Sequence, residues 1–264
     1  MRPASRRPTN LETRTLSALV MVAAVLALTW QGGVAFRCLA ALIGLAVFYE
    51  WQAITEVRQN GRSRSAGWLS VVLVLLVLLS GSGPTVLLAL LAACAVVVAI
   101  LTFNRSGPWV TMGLVYAVFP AIALTMIRGD ASRGLTAILF LFAVVWATDI
   151  FAYLAGRAFG GPKLAPRISP KKTWAGAIGG AGAAVLAGSL LATAVGKFDS
   201  HTPPVALALS VAAQLGDLAE SWLKRRFGVK DSSHLIPGHG GVMDRVDGLV
   251  AAASLLYVLM AAAV

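Results

Sequence analysis

The stretch "PTVLLALLAACAVVVAILT" (residues 84–102) contains no charged side chain, and its length suits one particular environment. A helix rises about 1.5 Å per residue, so about 20 helical residues cross the hydrocarbon core of a bilayer, which is about 30 Å thick. A run of this length and composition is typical of a transmembrane helix.

Similar runs fill most of the chain. Of its 264 residues, 58% are hydrophobic and only 12% are charged, and the mean hydropathy is +0.80. This composition lies outside the range of soluble domains. We therefore predict an all-α, polytopic integral membrane protein with about nine transmembrane helices. They lie near residues 15–31, 34–52, 67–81, 84–102, 108–127, 134–156, 174–196, 203–226 and 242–263.

The first run follows an arginine-rich segment and therefore also resembles a signal peptide. Because "ALTWQGGVAF" (residues 27–36) has no convincing small-x-small cleavage site, we interpret the run as a helix that stays in the protein.

The distribution of basic residues predicts the orientation. With the N-terminus in the cytoplasm, the nine spans place 18 of the 22 lysines and arginines on the cytoplasmic side. The exceptions are Arg37, Arg128, Arg133 and Lys197. The formal charge of +11 is then a matter of topology and of attraction to anionic membrane lipids, and we do not expect nucleic acid as a partner.

We divide the chain into three regions. Residues 1–14 form a basic cytoplasmic tail, residues 15–133 form a scaffold of N-terminal helices that offers surface for dimer contacts, and residues 134–264 form the helices that carry the catalytic site. Polar residues within predicted spans motivate this division, because a charge at the centre of a membrane helix costs about 2.5–3.5 kcal/mol.

Three of the C-terminal spans carry acidic residues near their predicted cytoplasmic ends. In the eighth, Asp217, Glu220, Ser221, Lys224 and Arg225 share one helical face. In the sixth, Asp149 lies on one face with Tyr153 and Gly156, and in the ninth Asp244 and Asp247 share a face of the first turn. Packing ion pairs or an ion pathway are the other interpretations of such residues.

Oxygen ligands beside basic, glycine-containing loops favour a magnesium-assisted phosphate site. Mg²⁺ binds one or two carboxylates and takes its other ligands from phosphates and water. The nearby segments "GGPKLAPRISPKKTWAG" (160–176) and "KRRFGVKDSSHLIPGHGG" (224–241) supply lysines that could neutralise a polyphosphate. Zinc or iron is not expected, because soft ligands are missing.

At this point the residues carry a family resemblance. "SWLKRRFGVKDSSHLIPGHGGVMDRVD" (residues 221–247) resembles the signature of the phosphatidate cytidylyltransferases, also called CDP-diacylglycerol synthases, at every fixed position. "GDLAES" (216–221), "SPKKTWAG" (169–176) and "DIFAYLAGRAFG" (149–160) resemble further family segments. One departure is Ala175, where many relatives have Glu or Gln; a ligand role at that position is thereby put in doubt.

The resemblance implies that CTP and phosphatidic acid react to give CDP-diacylglycerol and pyrophosphate. We assign Asp217 and Asp244 as first metal ligands, with Asp247 and Ser221 as further ones, and we assign Asp149 as a ligand or a lysine partner. The cofactor is Mg²⁺, and a second cation such as K⁺ is left open. The residues assigned to bind substrate are Lys171, Lys172, Lys224, Arg225, Lys230, Asp231, His239, Gly240, Gly241 and Arg245.

The family resemblance also implies a homodimer. We expect it in contact with membrane lipids in a bacterial inner membrane, with the active site facing the cytoplasm as the distribution of basic residues predicts. Two alternatives from the residues are a CTP-dependent lipid-alcohol (polyprenol) kinase and, outside enzymes, an ion-coupled transporter. Against the transporter, the polar residues concentrate on one side of the membrane, whereas a transport path needs access from both.

Overall fold

The computed structural model describes residues 10–55, 61–102, 108–233, 235–236 and 240–263. Within these residues the chain forms nine α-helices and one short β-hairpin. Their bounds are α1 Asn10–Gln31, α2 Gly33–Thr55, α3 Gly61–Leu79, α4 Pro84–Thr102, α5 Trp109–Arg128, α6 Ser132–Phe159, β1 Lys163–Ala165, β2 Ser169–Thr173, α7 Trp174–Ala194, α8 Thr202–Arg226 and α9 Met243–Ala262.

The nine predicted helices are confirmed within the described residues. Seven of them, all except α1 and α8, are long and apolar enough to cross a membrane. In α1 only the shorter stretch Ala18–Gln31 is apolar. The polar stripe of α8 lowers its hydropathy, and three basic residues, Lys224, Arg225 and Arg226, occupy its last turn.

The hairpin was not predicted, since the sequence was interpreted as helices and loops only. β1 and β2 pair antiparallel, with Lys163 opposite Thr173 and Ala165 opposite Ser169. The segment contains no regular apolar alternation that would have indicated strands. One local prediction is confirmed: Thr173 is the N-cap of α7, and its hydroxyl accepts a hydrogen bond from the Gly176 N–H at 3.1 Å.

Two groups of buried apolar side chains hold the helices together. One is formed mainly by α2 to α5, and includes Phe48, Trp51 and Leu114. The other is formed mainly by α6 to α9, and includes Ile138, Leu141 and Leu209. Helices α8 and α9 belong to both, because Leu223 and Met243 pack with the first group. Residues of the signature segment therefore lie where the two groups meet.

Glycines allow the C-terminal helices to approach closely. A Cβ atom at Gly176 of α7 would lie 2.7 Å from the carbonyl oxygen of Ala152 in α6. A Cβ atom at Gly216 of α8 would lie 2.5 Å from the carbonyl oxygen of Asp247 in α9. Both distances are shorter than side chains tolerate, so these contacts require glycine, as is common where membrane helices pack tightly. The second contact brings the acidic stripes of α8 and α9 together.

Candidate active site

A cavity of about 690 Å³ opens between α6, the hairpin, α7, α8 and α9. Its volume is in the range of small-molecule sites. Ten of the described residues that line it have acidic or basic side chains, in a chain in which only 12% of residues are charged. Five are acidic and five are basic: Asp149, Asp217, Glu220, Asp244 and Asp247, with Arg157, Lys171, Lys172, Lys224 and Arg245.

The hairpin brings Lys172 to the acidic stripe of α8. The Nζ atom of Lys172 lies 2.5 Å from Oδ2 of Asp217, whose other oxygen accepts a hydrogen bond of 3.4 Å from the Ser221 hydroxyl. Both charged side chains remain partly exposed, to 25% and 35%. The pair is therefore open to the cavity, where an incoming anion could take over the lysine.

A second lysine lies, largely shielded from solvent, between two carboxylates. The Nζ atom of Lys224 lies 3.1 Å from Oε2 of Glu220, one turn earlier in α8, and 2.5 Å from Oδ1 of Asp244 in α9. Glu220 is 2% exposed and Lys224 is 12% exposed. The other oxygen of Glu220, Oε1, is buried and receives no hydrogen bond from an N–H or a hydroxyl of the described residues, and the carboxyl of Asp247 is a close neighbour of Glu220. A buried carboxylate oxygen without such a donor is costly, so this atom is a candidate for a cation or water.

Asp244 also organises the segment before α9. Its Oδ2 atom accepts hydrogen bonds from the Ser232 N–H at 3.2 Å, the Ser232 hydroxyl at 2.9 Å and the Gly241 N–H at 3.0 Å. Gly240 has a φ of +87°, which favours glycine, and it lets the chain turn into α9. Asp244 therefore links α8, through Lys224, to the signature segment.

A buried carboxylate from the N-terminal helices supports the same segment. Glu50 of α2 is 0% exposed and accepts hydrogen bonds from the N–H groups of Val242 and Met243, at 2.8 and 2.6 Å. The hydroxyls of Ser232 and Ser233 lie 3.0 and 2.5 Å from its oxygens. Helix α2 of the N-terminal region thus contacts the segment that leads into α9 and Asp244.

Most of the predicted site residues are brought together. The cavity is lined by Asp149, Lys171, Lys172, Asp217, Lys224, Asp244, Arg245 and Asp247. Ser221 lies next to it through its hydrogen bond to Asp217. Gly240 and Gly241 do not line the cavity but lie next to Asp244, whose Oδ2 accepts from the Gly241 N–H; a Cβ atom at Gly241 would lie 1.9 Å from the Ser232 hydroxyl oxygen.

Three predicted residues that the structure describes, Arg225, Lys230 and Asp231, do not line the cavity. The Arg225 guanidinium is exposed and lies 3.5 Å from the carbonyl oxygen of Val229, in the turn after α8. Lys230 and Asp231 are exposed in the following turn. His239 lies outside the described residues.

Sequence reasoning missed Glu50 and gave Glu220 and Arg157 no role. Glu50 carried a usable signal, because it is the only acidic residue in the predicted span 34–52, and ionisable residues within membrane spans have functional roles by default. Glu220 was on the recognised stripe of α8. Arg157 was not predicted as a site residue, although it lines the cavity and donates a hydrogen bond of 3.1 Å to the Tyr153 hydroxyl.

Among the described residues, no three His, Cys, Asp or Glu side chains are already assembled as a metal site. The acidic oxygens face lysines instead, and the oxygen-rich donor set suits a hard cation that takes further ligands from a substrate. Taken together, helices that can cross a membrane and a mixed-charge cavity define an integral membrane protein with a site for a polar, multiply charged ligand.

Comparisons with known proteins identify the family. The profile of the cytidylyltransferase family matches residues 12–263, so the chain belongs to this family. It is 51% identical over 249 residues to a phosphatidate cytidylyltransferase of Brucella abortus biovar 1. The aligned residues cover 94% of this chain and 92% of the relative. It is 34% identical over 263 residues to a phosphatidate cytidylyltransferase of Staphylococcus aureus, with 95% and 99% covered. The resemblance inferred from residues 221–247 is confirmed.

Proposed function

We propose that the chain transfers the cytidylyl group of CTP to phosphatidic acid, forming CDP-diacylglycerol and pyrophosphate. The observation that carries the proposal is the cavity of five acidic and five basic residues, in a chain that matches the cytidylyltransferase family over almost its whole length. The kinase and transporter alternatives have no comparable support. The proposal assigns the cavity to the nucleotide and the apolar helices around it to the diacylglycerol tails.

The basic residues of the cavity would bind the triphosphate. Lys171 and Lys172 reach it from the hairpin, and Lys224, Arg157 and Arg245 reach it from the helices. Lys172 and Lys224 are now held by Asp217 and Asp244, at 2.5 Å each. A polyphosphate is a stronger partner for an ammonium group than one carboxylate, so its binding would release oxygens of both aspartates.

Those released oxygens fit Mg²⁺. We propose that Asp217 and Asp244 hold the ion, with Asp247 and Ser221 as further ligands and the buried Oε1 of Glu220 nearby. Bound there, Mg²⁺ would neutralise negative charge on the triphosphate as it develops. Asp149 lies in the wall of the same cavity and would pair with a lysine or complete the ligand set.

The transfer step then needs positioning more than proton removal. A phosphate oxygen of phosphatidic acid is already an anion, and it attacks the α-phosphorus of CTP. The new P–O bond forms as the bond between the α-phosphorus and the oxygen that it shares with the β-phosphorus breaks, and pyrophosphate leaves. Lys172 and Lys224 would stabilise the charge that accumulates on the leaving pyrophosphate.

The assay uses purified protein in detergent micelles with CTP, Mg²⁺ and phosphatidic acid. We expect equal amounts of pyrophosphate and a CDP-lipid, and we expect none after chelation with EDTA until Mg²⁺ is restored. A parallel reaction with a polyprenol in place of phosphatidic acid should give no product. Absence of a CDP-lipid from protein shown to be folded by its thermal transition would refute the proposal, and phosphorylated polyprenol would favour the kinase.

We also propose a homodimer, as the family resemblance implies, in a bacterial inner membrane with the cavity facing the cytoplasm. The basic residues of the hairpin would then lie beside the anionic lipid surface. Mass measurement of the protein in lipid nanodiscs tests the dimer: a particle containing one chain at all concentrations would contradict it.

A further inference from the structure

We infer that Glu50 is a positioning residue that orients Asp244 by holding the start of α9. The two side chains belong to distant parts of the chain, α2 and α9. They are connected by one hydroxyl, that of Ser232, whose Oγ atom lies 3.0 Å from Oε2 of Glu50 and 2.9 Å from Oδ2 of Asp244. The role assigned to Asp244 rests on the proposed function.

The contacts of Glu50 are those of a helix cap supplied by another helix. The first N–H groups of a helix have no partner within it, and a carboxylate there is also favoured by the helix dipole. The α9 N-cap residue, Val242, has no side chain that can serve. Glu50 instead accepts from the Val242 and Met243 N–H groups, and its carboxylate is fully buried.

The same carboxylate controls the spacing between Ser232 and Gly241. A Cβ atom at Gly241 would lie 1.9 Å from the Ser232 hydroxyl oxygen and 2.6 Å from Oε1 of Glu50. Glu50 therefore packs directly against the backbone whose N–H, at Gly241, donates to Asp244. Displacing Glu50 would loosen three of the donors that orient Asp244: the Ser232 N–H, the Ser232 hydroxyl and the Gly241 N–H.

The chemistry of the bridge explains why a carboxylate is needed. A serine hydroxyl has one proton, so Ser232 donates fully to only one of its two carboxylate neighbours at a time. Glu50 does not depend on that proton alone, because its oxygens also accept hydrogen bonds from the N–H groups of Val242 and Met243. An amide in its place would present N–H donors to other N–H donors, and part of the cap would be lost.

The test is a double-mutant cycle of Glu50→Gln, Ser232→Ala and the double variant, with Gln52→Leu as matched control. Gln52 is a buried polar residue of the same helix, and both its amide atoms lack hydrogen-bond partners among the described residues. We expect Glu50→Gln to lower kcat per folded protein by about 10- to 100-fold, as removal of an orienting partner usually does. The KM for phosphatidic acid should change little, and Gln52→Leu should match the wild type.

In the cycle, the double variant should lose no more activity than Glu50→Gln alone, because the two residues act through one aspartate. Glu50→Asp, which keeps the charge, should recover part of the activity. Two results would overturn the inference: a kcat per folded Glu50→Gln protein within about twofold of the wild type, or losses that simply multiply in the double variant. A purely structural role would reduce the folded fraction without changing its kcat.

Amide hydrogen exchange separates this inference from the proposed function. In Glu50→Gln, residues 240–248 should exchange about 10-fold faster or more, while α4 exchanges as in the wild type. If the wild type forms no CDP-lipid but this local change occurs, the proposed reaction fails and the positioning link stands. If the wild type is active and residues 240–248 of Glu50→Gln exchange at the wild-type rate, the positioning link is refuted.

Discussion

The ammonium group of Lys224 lies 2.5 Å from the carboxylate of Asp244, and this contact joins α8 to α9 inside the cavity. Both side chains are nearly buried, at 12% and 13% exposed, and Glu220 lies on the other side of the lysine. The contact at Lys172 and Asp217 has the same length but is more exposed. Two similar ion pairs thus differ in burial, and this difference predicts different consequences of mutation.

Replacing Lys224 with Met should both destabilise and inactivate the protein. Removing one partner of a buried pair leaves an uncompensated charge, which costs about 3 kcal/mol, and here two carboxylates lose their cation. Lys172→Met should lower the free energy of unfolding by less than about 1 kcal/mol, because water screens the Lys172–Asp217 pair. Its turnover should still fall by about 100-fold. Thermal unfolding in detergent and turnover, measured on both variants, check this. Equal destabilisation by the two changes would contradict it.

Asp217→Asn should abolish turnover and leave the protein folded. Among the described residues its carboxylate accepts from Ser221 and Lys172, and it is partly exposed, so an amide is tolerated structurally. We expect at least a 100-fold lower rate of CDP-lipid formation, about the effect of losing one group that stabilises developing charge. Asp130→Asn is the control, because Asp130 is exposed in the connection between α5 and α6. A fully active Asp217→Asn protein would remove this residue from the metal site.

Asp244→Asn should differ from Asp217→Asn by lowering stability as well. Oδ2 of Asp244 accepts three hydrogen bonds, two from backbone N–H groups, and Oδ1 faces Lys224. An amide nitrogen cannot satisfy both sides, so we expect the free energy of unfolding to fall by about 1–3 kcal/mol in addition to the loss of turnover. Thermal transitions of the two variants, compared in one detergent, give the difference. If Asp244→Asn and Asp217→Asn unfold at the same temperature, the hydrogen bonds to Oδ2 of Asp244 contribute little to stability.

The sequence predicted the helices and the acidic stripes because both depend on local periodicity. Apolar runs of about 20 residues identify the helices, and the 3.6-residue repeat places Asp217, Glu220 and Lys224 on one face. Contacts between helices carry no such signal. Glu50 meets Ser232 across 182 residues, so only packing brings them together. Arg225 was predicted on the same face as Lys224. In the structure its guanidinium contacts the carbonyl oxygen of Val229 and does not line the cavity.

The predicted orientation can be tested with single cysteines in a variant that lacks Cys38 and Cys94. Lys163 of β1 and Ser200 of the α7–α8 connection are both exposed, and α7 separates them. If the hairpin faces the cytoplasm, a cysteine at position 163 should react with a membrane-impermeant maleimide only after cells are opened, whereas one at position 200 should react in intact cells. Activity of both variants serves as the control for folding. The reverse pattern would place the cavity outside, where CTP is absent, and would contradict both the orientation and the proposed reaction.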